Sequence, residues 1–101
     1  MADRIELHKK LCEILGSKNV YYQPPEGLKM AYPCIVYSRS KPYTAHADNK
    51  KYIHKRRYTI TLIDKRPESS IADAIESLPY CEFDRYFETA GLNHFVYLLY
   101  F

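Results

Sequence analysis

The chain has no tryptophan, only 3 glycines among 101 residues, and an odd 3 cysteines. So few glycines leave no Gly-rich loop to cradle a phosphate. No Walker loop, GxGxxG, GxSxG, HExxH or zinc-deaminase signature occurs either. Cys12, Cys34 and Cys81 are widely spaced and form no CxxC pair, which argues against a disulfide framework and against a structural zinc site. They read as small buried hydrophobes in a reducing compartment. No apolar run is long enough to cross a membrane. Met1-Ala2-Asp3-Arg4 leads directly into an amphipathic stretch, with no signal peptide and no lipidation signal. A protein made in and kept in a cytoplasm is expected.

Charge of one sign is also scarce. The formal net charge is +3, a mild excess that says little about nucleic acid. Hydrophobic residues make up 47% and charged residues 27%, the balance of an ordinary globular chain. The length suits one domain spanning 1–101. Such a domain buries roughly 60–65% of the surface its unfolded chain exposes, enough for one modest core. Aromatic usage is the unusual feature, with 11 Tyr and 4 Phe. Tyrosine has an apolar body and a polar tip, so it suits half-buried positions and contact surfaces. Eleven exceed what one small core needs, so some are expected on a surface that a partner covers.

Along the chain, Leu7, Leu11, Ile14 and Leu15 fall at helical spacing, with Ile5, His8 and Cys12 widening the stripe. A helix over about 3–16 is expected, ended by Gly16. Val20-Tyr21-Tyr22 has strand composition and stops at Pro24-Pro25. Tyr32 to Ser38 is a second strand, with Pro33 placing it at an edge or delaying its start. Residues 39–57 are polar and basic, with turn chemistry at Asp48-Asn49. They read as a long projecting arm or hairpin that reaches ~23 Å if each side is about seven residues. Tyr58 to Asp64 is the clearest strand. A short helix over about 70–78 follows, with Ser70 and Asp73 resembling a capping box and Ile71, Ala74, Ile75 and Leu78 facing inward. Cys81 to Phe87 alternates as a short strand, and Thr89-Ala90-Gly91 turns the chain. The last strand, Asn93 to Phe101, is apolar on both faces. It is therefore central, or meets another subunit. These elements imply an α+β fold, with a single mixed or antiparallel sheet of about four to five strands and two helices packed on one face.

Chemistry is thinly represented. His46, Asp48 and His54 share one segment, but their spacing fits no familiar metal site, so no metal and no cofactor are expected. Glu82, Asp84, Arg85 and Glu88 read as strand-edge charge pairs and not as acid–base machinery. With little toward a nucleophile or metal, a proton-transfer group or a pocket, the chain is not expected to be an enzyme.

The distinctive signal is the basic cluster Lys50-Lys51-Tyr52-Ile53-His54-Lys55-Arg56-Arg57. It reads first as a contact to a protein partner. A solvated arm and a grip on a nucleic-acid backbone remain open, the last with a log–log salt slope near about −4.5 for ~5 phosphates. Tyr43, Lys50, Lys51, Tyr52, Lys55, Arg56 and Arg57 are the candidate contact residues of the arm, joined by Tyr97 and Phe101 of the last strand.

Val20-Tyr21-Tyr22-Gln23-Pro24-Pro25, Met30 and Tyr32-Pro33-Cys34-Ile35-Val36-Tyr37 resemble a small tail-completion, or head–tail joining, protein of long-tailed siphophages and prophages of Gram-positive bacteria. Ala47-Asp48-Asn49, Tyr58 to Asp64, Phe83-Asp84-Arg85 and Leu92-Asn93-His94 through Leu99-Tyr100-Phe101 continue the likeness over nearly the whole chain. The resemblance implies a bacteriophage tail terminator. Such a protein forms a homo-oligomeric ring, usually a hexamer, that caps the tail tube, ends its polymerisation and gives the head a docking surface. Its partners would be itself, the tail-tube protein and a head-completion or connector protein, with no membrane. It would sit in the virion neck after assembly in the host bacterial cytoplasm. The alternatives are another neck or head-completion component, and a small nucleic-acid-binding module using the basic arm.

Overall fold

The structure is a computed structural model and describes residues 4–40 and 56–101. Its elements run α1 (Arg4–Leu15), β1 (Val20–Tyr22), β2 (Cys34–Arg39), β3 (Arg57–Asp64), α2 (Ser70–Glu76), β4 (Cys81–Thr89) and β5 (Leu92–Tyr100). The fold is α+β, with two helices and one mixed five-stranded sheet in the order β1-β2-β3-β5-β4. β1 runs parallel to β2, and every other neighbouring pair is antiparallel.

α1 forms because its leucines recur every four residues and so line one face. Leu7, Leu11 and Leu15 are buried, whereas Ile5, expected on the same stripe, is 57% exposed. Ile5 lies two positions before Leu7, too far round the helix to share its face. Gly16 ends the helix at φ +79°, donating its N–H to the Cys12 carbonyl at 2.8 Å. α2 starts one residue earlier than the Ser70–Asp73 pairing suggests. Its N-cap is Ser69, whose Oγ accepts the Ile71 N–H at 3.2 Å. Ala72 and Ile75 are its buried residues, with Ile71 and Leu78 half-buried.

Leu7, Leu11 and Leu15 join Ala72 and Ile75 in one core with Ile35, Tyr37, Tyr58, Ile60, Leu62, Tyr97 and Leu99. The strand residues in this list alternate along β2, β3 and β5, so both helices cover the same face of the sheet. Tyr37 is fully buried, and its hydroxyl is held at 2.7 Å from His8 Nδ1 while accepting from Arg4 Nη1 at 3.3 Å. Burial pushes the Tyr37 phenol above its ordinary pKa, with the Arg4 guanidinium opposing the shift. Arg4 also lies 4.4 Å over the Tyr22 ring, tying the start of α1 to β1.

β5 is a central strand between β3 and β4. Tyr97 and Leu99 are buried on its helix-covered face and Val96 on the other, which accounts for its two apolar faces. β2 begins just after Pro33 and is flanked by β1 and β3. The longest departure from the alternation seen in sequence is in β4. Phe83 pairs with Tyr97 and Arg85 with Val96, so Asp84 is an extra residue in a bulge. The bulge brings Tyr86, opposite Phe95, onto the same face as Phe83. The β4–β5 connection is the two-residue turn Ala90-Gly91, at φ +52° and +77°. Both residues take the left-handed backbone that tight hairpins use.

Candidate functional site

The expected contact residues separate into three groups. Tyr43, Lys50, Lys51, Tyr52 and Lys55 lie outside the described residues, as do His46, Asp48 and His54 and most of the expected 39–57 arm. Arg57 belongs to β3, and Arg56 directly precedes it. Arg57 opens β3 opposite Tyr100. Arg56 exchanges both backbone hydrogen bonds with Phe101, at 3.0 and 2.9 Å. Tyr97, expected on a subunit surface, is 1% exposed in the core, and its hydroxyl donates to the Ala72 carbonyl at 3.2 Å. Phe101 is half-buried against the same core.

The described histidines sit in structural contacts. His8 meets Tyr37, and His94 Nδ1 lies 3.2 Å from the Leu92 carbonyl. Among the described residues no group of three or more His, Cys, Asp or Glu side chains could hold a metal ion. Among the same residues no helix is long and apolar enough to cross a membrane. Cys12, Cys34 and Cys81 are free thiols, with Cys34 buried and the other two half-buried. Burial pushes the Cys34 thiol up to about 11, and Cys81 likewise up to about 11, so neither is a thiolate near neutral pH. A hollow of about 490 Å³ beside the start of α2 is lined in part by Glu68, Ser69, Ser70 and Asp73. Ser69 Oγ there is already engaged as the helix cap.

The feature that stands out is β4. It is an edge strand of nine residues, and every one after Cys81 is exposed, so the strand has a solvent-facing edge along its length. Phe83, Tyr86 and Phe87 are 48%, 47% and 40% exposed. Each leans one side of its ring on β5. Phe83 meets Tyr97 edge-on at 5.7 Å, Tyr86 meets Phe95 at 5.1 Å, and Phe87 stacks on His94 at 4.6 Å. Tyr86 is further anchored by donating its hydroxyl to Asn93 Oδ1, and Asn93 Nδ2 donates to the Asp64 carbonyl at 3.3 Å. Asn93 is buried, so this chain of bonds fixes the Tyr86 ring relative to β3 and β5.

Large exposed aromatics held in fixed rotamers lose little side-chain entropy when a partner covers them. The strand beside them offers outward backbone N–H and C=O groups, the template for pairing with another strand. Its charges are Glu82, Asp84 and Glu88 against Arg85. Arg85 Nη1 lies 3.8 Å from Asp84 Oδ2, an exposed contact of little energetic weight. β4 was legible as a strand, but its aromatics were not singled out in sequence. The available signal was the three-residue spacing of Phe83 and Tyr86, which a regular strand cannot place on one face; Phe87, opposite His94, lies on the other face.

Compared with known proteins, the chain matches no family model, no curated protein and no solved structure.

Proposed function

We propose that this protein is a structural assembly component without catalytic activity, working as an oligomeric ring that caps a phage tail tube. The observation that supports self-assembly is the β4 edge, with Phe83, Tyr86 and Phe87 exposed along a nine-residue strand. Proteins blunt such edges by shortening, covering, charging or bulging them; β4 carries charges and the Asp84 bulge but is neither short nor covered. The tail assignment comes from the sequence resemblance to siphophage tail-completion proteins set out above.

The two reasons support each other physically. A ring of identical subunits needs one surface that meets a different surface on the next copy. Each contact has to bury on the order of 800 Å² per partner to be stable. An exposed aromatic edge strand supplies one such surface. In this reading the ring ends tube polymerisation and presents a docking face to a head-completion or connector protein.

The test is negative-stain microscopy of the protein mixed with its cognate tail-tube protein. Rings at one end of length-limited tubes are expected. Tubes that grow unchecked with no bound protein contradict the tail reading.

A further inference from the structure

We infer that the β4 edge binds the basic 41–55 stretch of a second copy of this chain, so that subunits join head to tail. The inference deepens the assembly reading by naming the two surfaces that meet. Its first support is charge. β4 carries Glu82, Asp84 and Glu88 against Arg85, whereas residues 41–55 carry Lys41, Lys50, Lys51 and Lys55 against Asp48 alone. Two β4 edges laid side by side would place acid against acid, which is destabilising across a strand pair. The opposite edge of the sheet, β1, is only three residues long and uncharged, a poor match for nine. The 41–55 stretch has the opposite charge and strand-compatible residues in Tyr52 and Ile53.

The second support is direction. Arg56 is paired to Phe101 by two backbone hydrogen bonds, which keeps the chain in line with β3 where it enters the sheet. That end of the sheet is the one where Arg57 pairs with Tyr100 and Cys81 with Leu99. The regular run of β4 after the bulge, Arg85 to Thr89, lies toward the other end, where Thr89 pairs with Leu92. Arg56, the first described residue before β3, therefore stands at the end of the sheet away from that run. β5 stands between β3 and β4 in the sheet, so a partner for the outer edge of β4 comes more directly from a second copy than from the residues that precede β3 in the same chain. The acidic residues also have a selective role, because they disfavour an acidic strand while favouring a basic one.

The test is sedimentation velocity of the full chain from about 1 to 500 µM, at low and moderate salt. Two charge-reversal variants are compared, E82K/E88K in β4 and K50E/K51E in the basic stretch. Far-ultraviolet circular dichroism and thermal melting confirm that each variant folds. The wild type is expected to associate with rising concentration, more weakly as salt rises. Each variant alone is expected to associate about tenfold more weakly or worse. Mixing the two variants restores association, because each then offers the charge the other needs. A wild type that stays monomeric throughout overturns the inference, as does a K50E/K51E variant that associates like the wild type, the sign of β4-to-β4 pairing. Mixed variants that remain apart overturn it too. Tube capping is not read in this experiment, so its failure is distinct from failure of the tail reading.

Discussion

The Tyr97 hydroxyl donates to the Ala72 carbonyl at 3.2 Å, fastening the central strand β5 to helix α2 across the core. Removing only the hydroxyl, as in Tyr97→Phe, removes that donor from a side chain 1% exposed. A loss of about 1 kcal/mol in unfolding free energy is expected, read by urea titration. Tyr97→Ala removes the ring as well and is expected to lose about 3–5 kcal/mol, as for other large aromatic deletions in cores. If Tyr97→Ala instead left stability unchanged and altered only association, Tyr97 would be an interface residue after all.

Alkaline pH should weaken the fold. The thiols of Cys34 and Cys81, at 9.0 when unperturbed, are each pushed up to about 11 by burial, and Tyr97 is pushed from 10.0 up to about 12. Below about pH 8 both folded and unfolded chains hold these protons, so they contribute no pH dependence. Between about pH 9 and 11 the unfolded chain sheds thiol protons that the folded chain keeps, which favours unfolding. Stability should fall steadily over that window, with the fully buried Cys34 contributing on the order of 2 kcal/mol by pH 11. Denaturation midpoints for the wild type and Cys34→Ala, measured from pH 7 to 11, check this. The variant should show the shallower decline, and a wild-type midpoint flat to pH 11 would contradict it.

The β4–β5 turn carries a correctable strain. Ala90 sits at φ +52°, a region that costs a non-glycine residue roughly 1–2 kcal/mol. Asn tolerates that region and Asn-Gly is the favoured pair for a two-residue hairpin turn. Ala90→Asn is therefore expected to raise stability by about 0.5–1 kcal/mol, seen as a higher melting temperature. A lowered melting temperature would mean that the turn does not hold this geometry in solution.

The elements with strong periodicity were legible in the chain itself. Leu7, Leu11 and Leu15 mark α1, Tyr58 to Asp64 marks β3, and the two apolar faces from Phe95 to Tyr100 mark β5 as a central strand. Less was legible where long-range packing decides. A tyrosine on a two-faced strand suits core and interface equally, and only the position of Ala72 settles Tyr97. The parallel pairing of β1 with β2 depends on how the chain from Gln23 to Pro33 crosses between them, and no local pattern records that. The Asp84 bulge was equally hidden. It slips Tyr86 onto the face of Phe83 through the register of β5, which lies later in the chain. The candidate site was the least legible part, because exposure along an edge follows from strand order and not from composition.

In the proposed role this chain assembles through its β4 edge to cap a tail tube. The most direct test compares wild type with Phe87→Lys in capping cognate tubes by negative-stain microscopy. Phe87 is 40% exposed and outside the core, so the variant should fold with an unchanged melting temperature to within a few degrees. Ringed, length-limited tubes are expected with the wild type and long uncapped tubes with the variant. Equal capping by both proteins would remove β4 from the interface, and no capping by the wild type would remove the tail function itself.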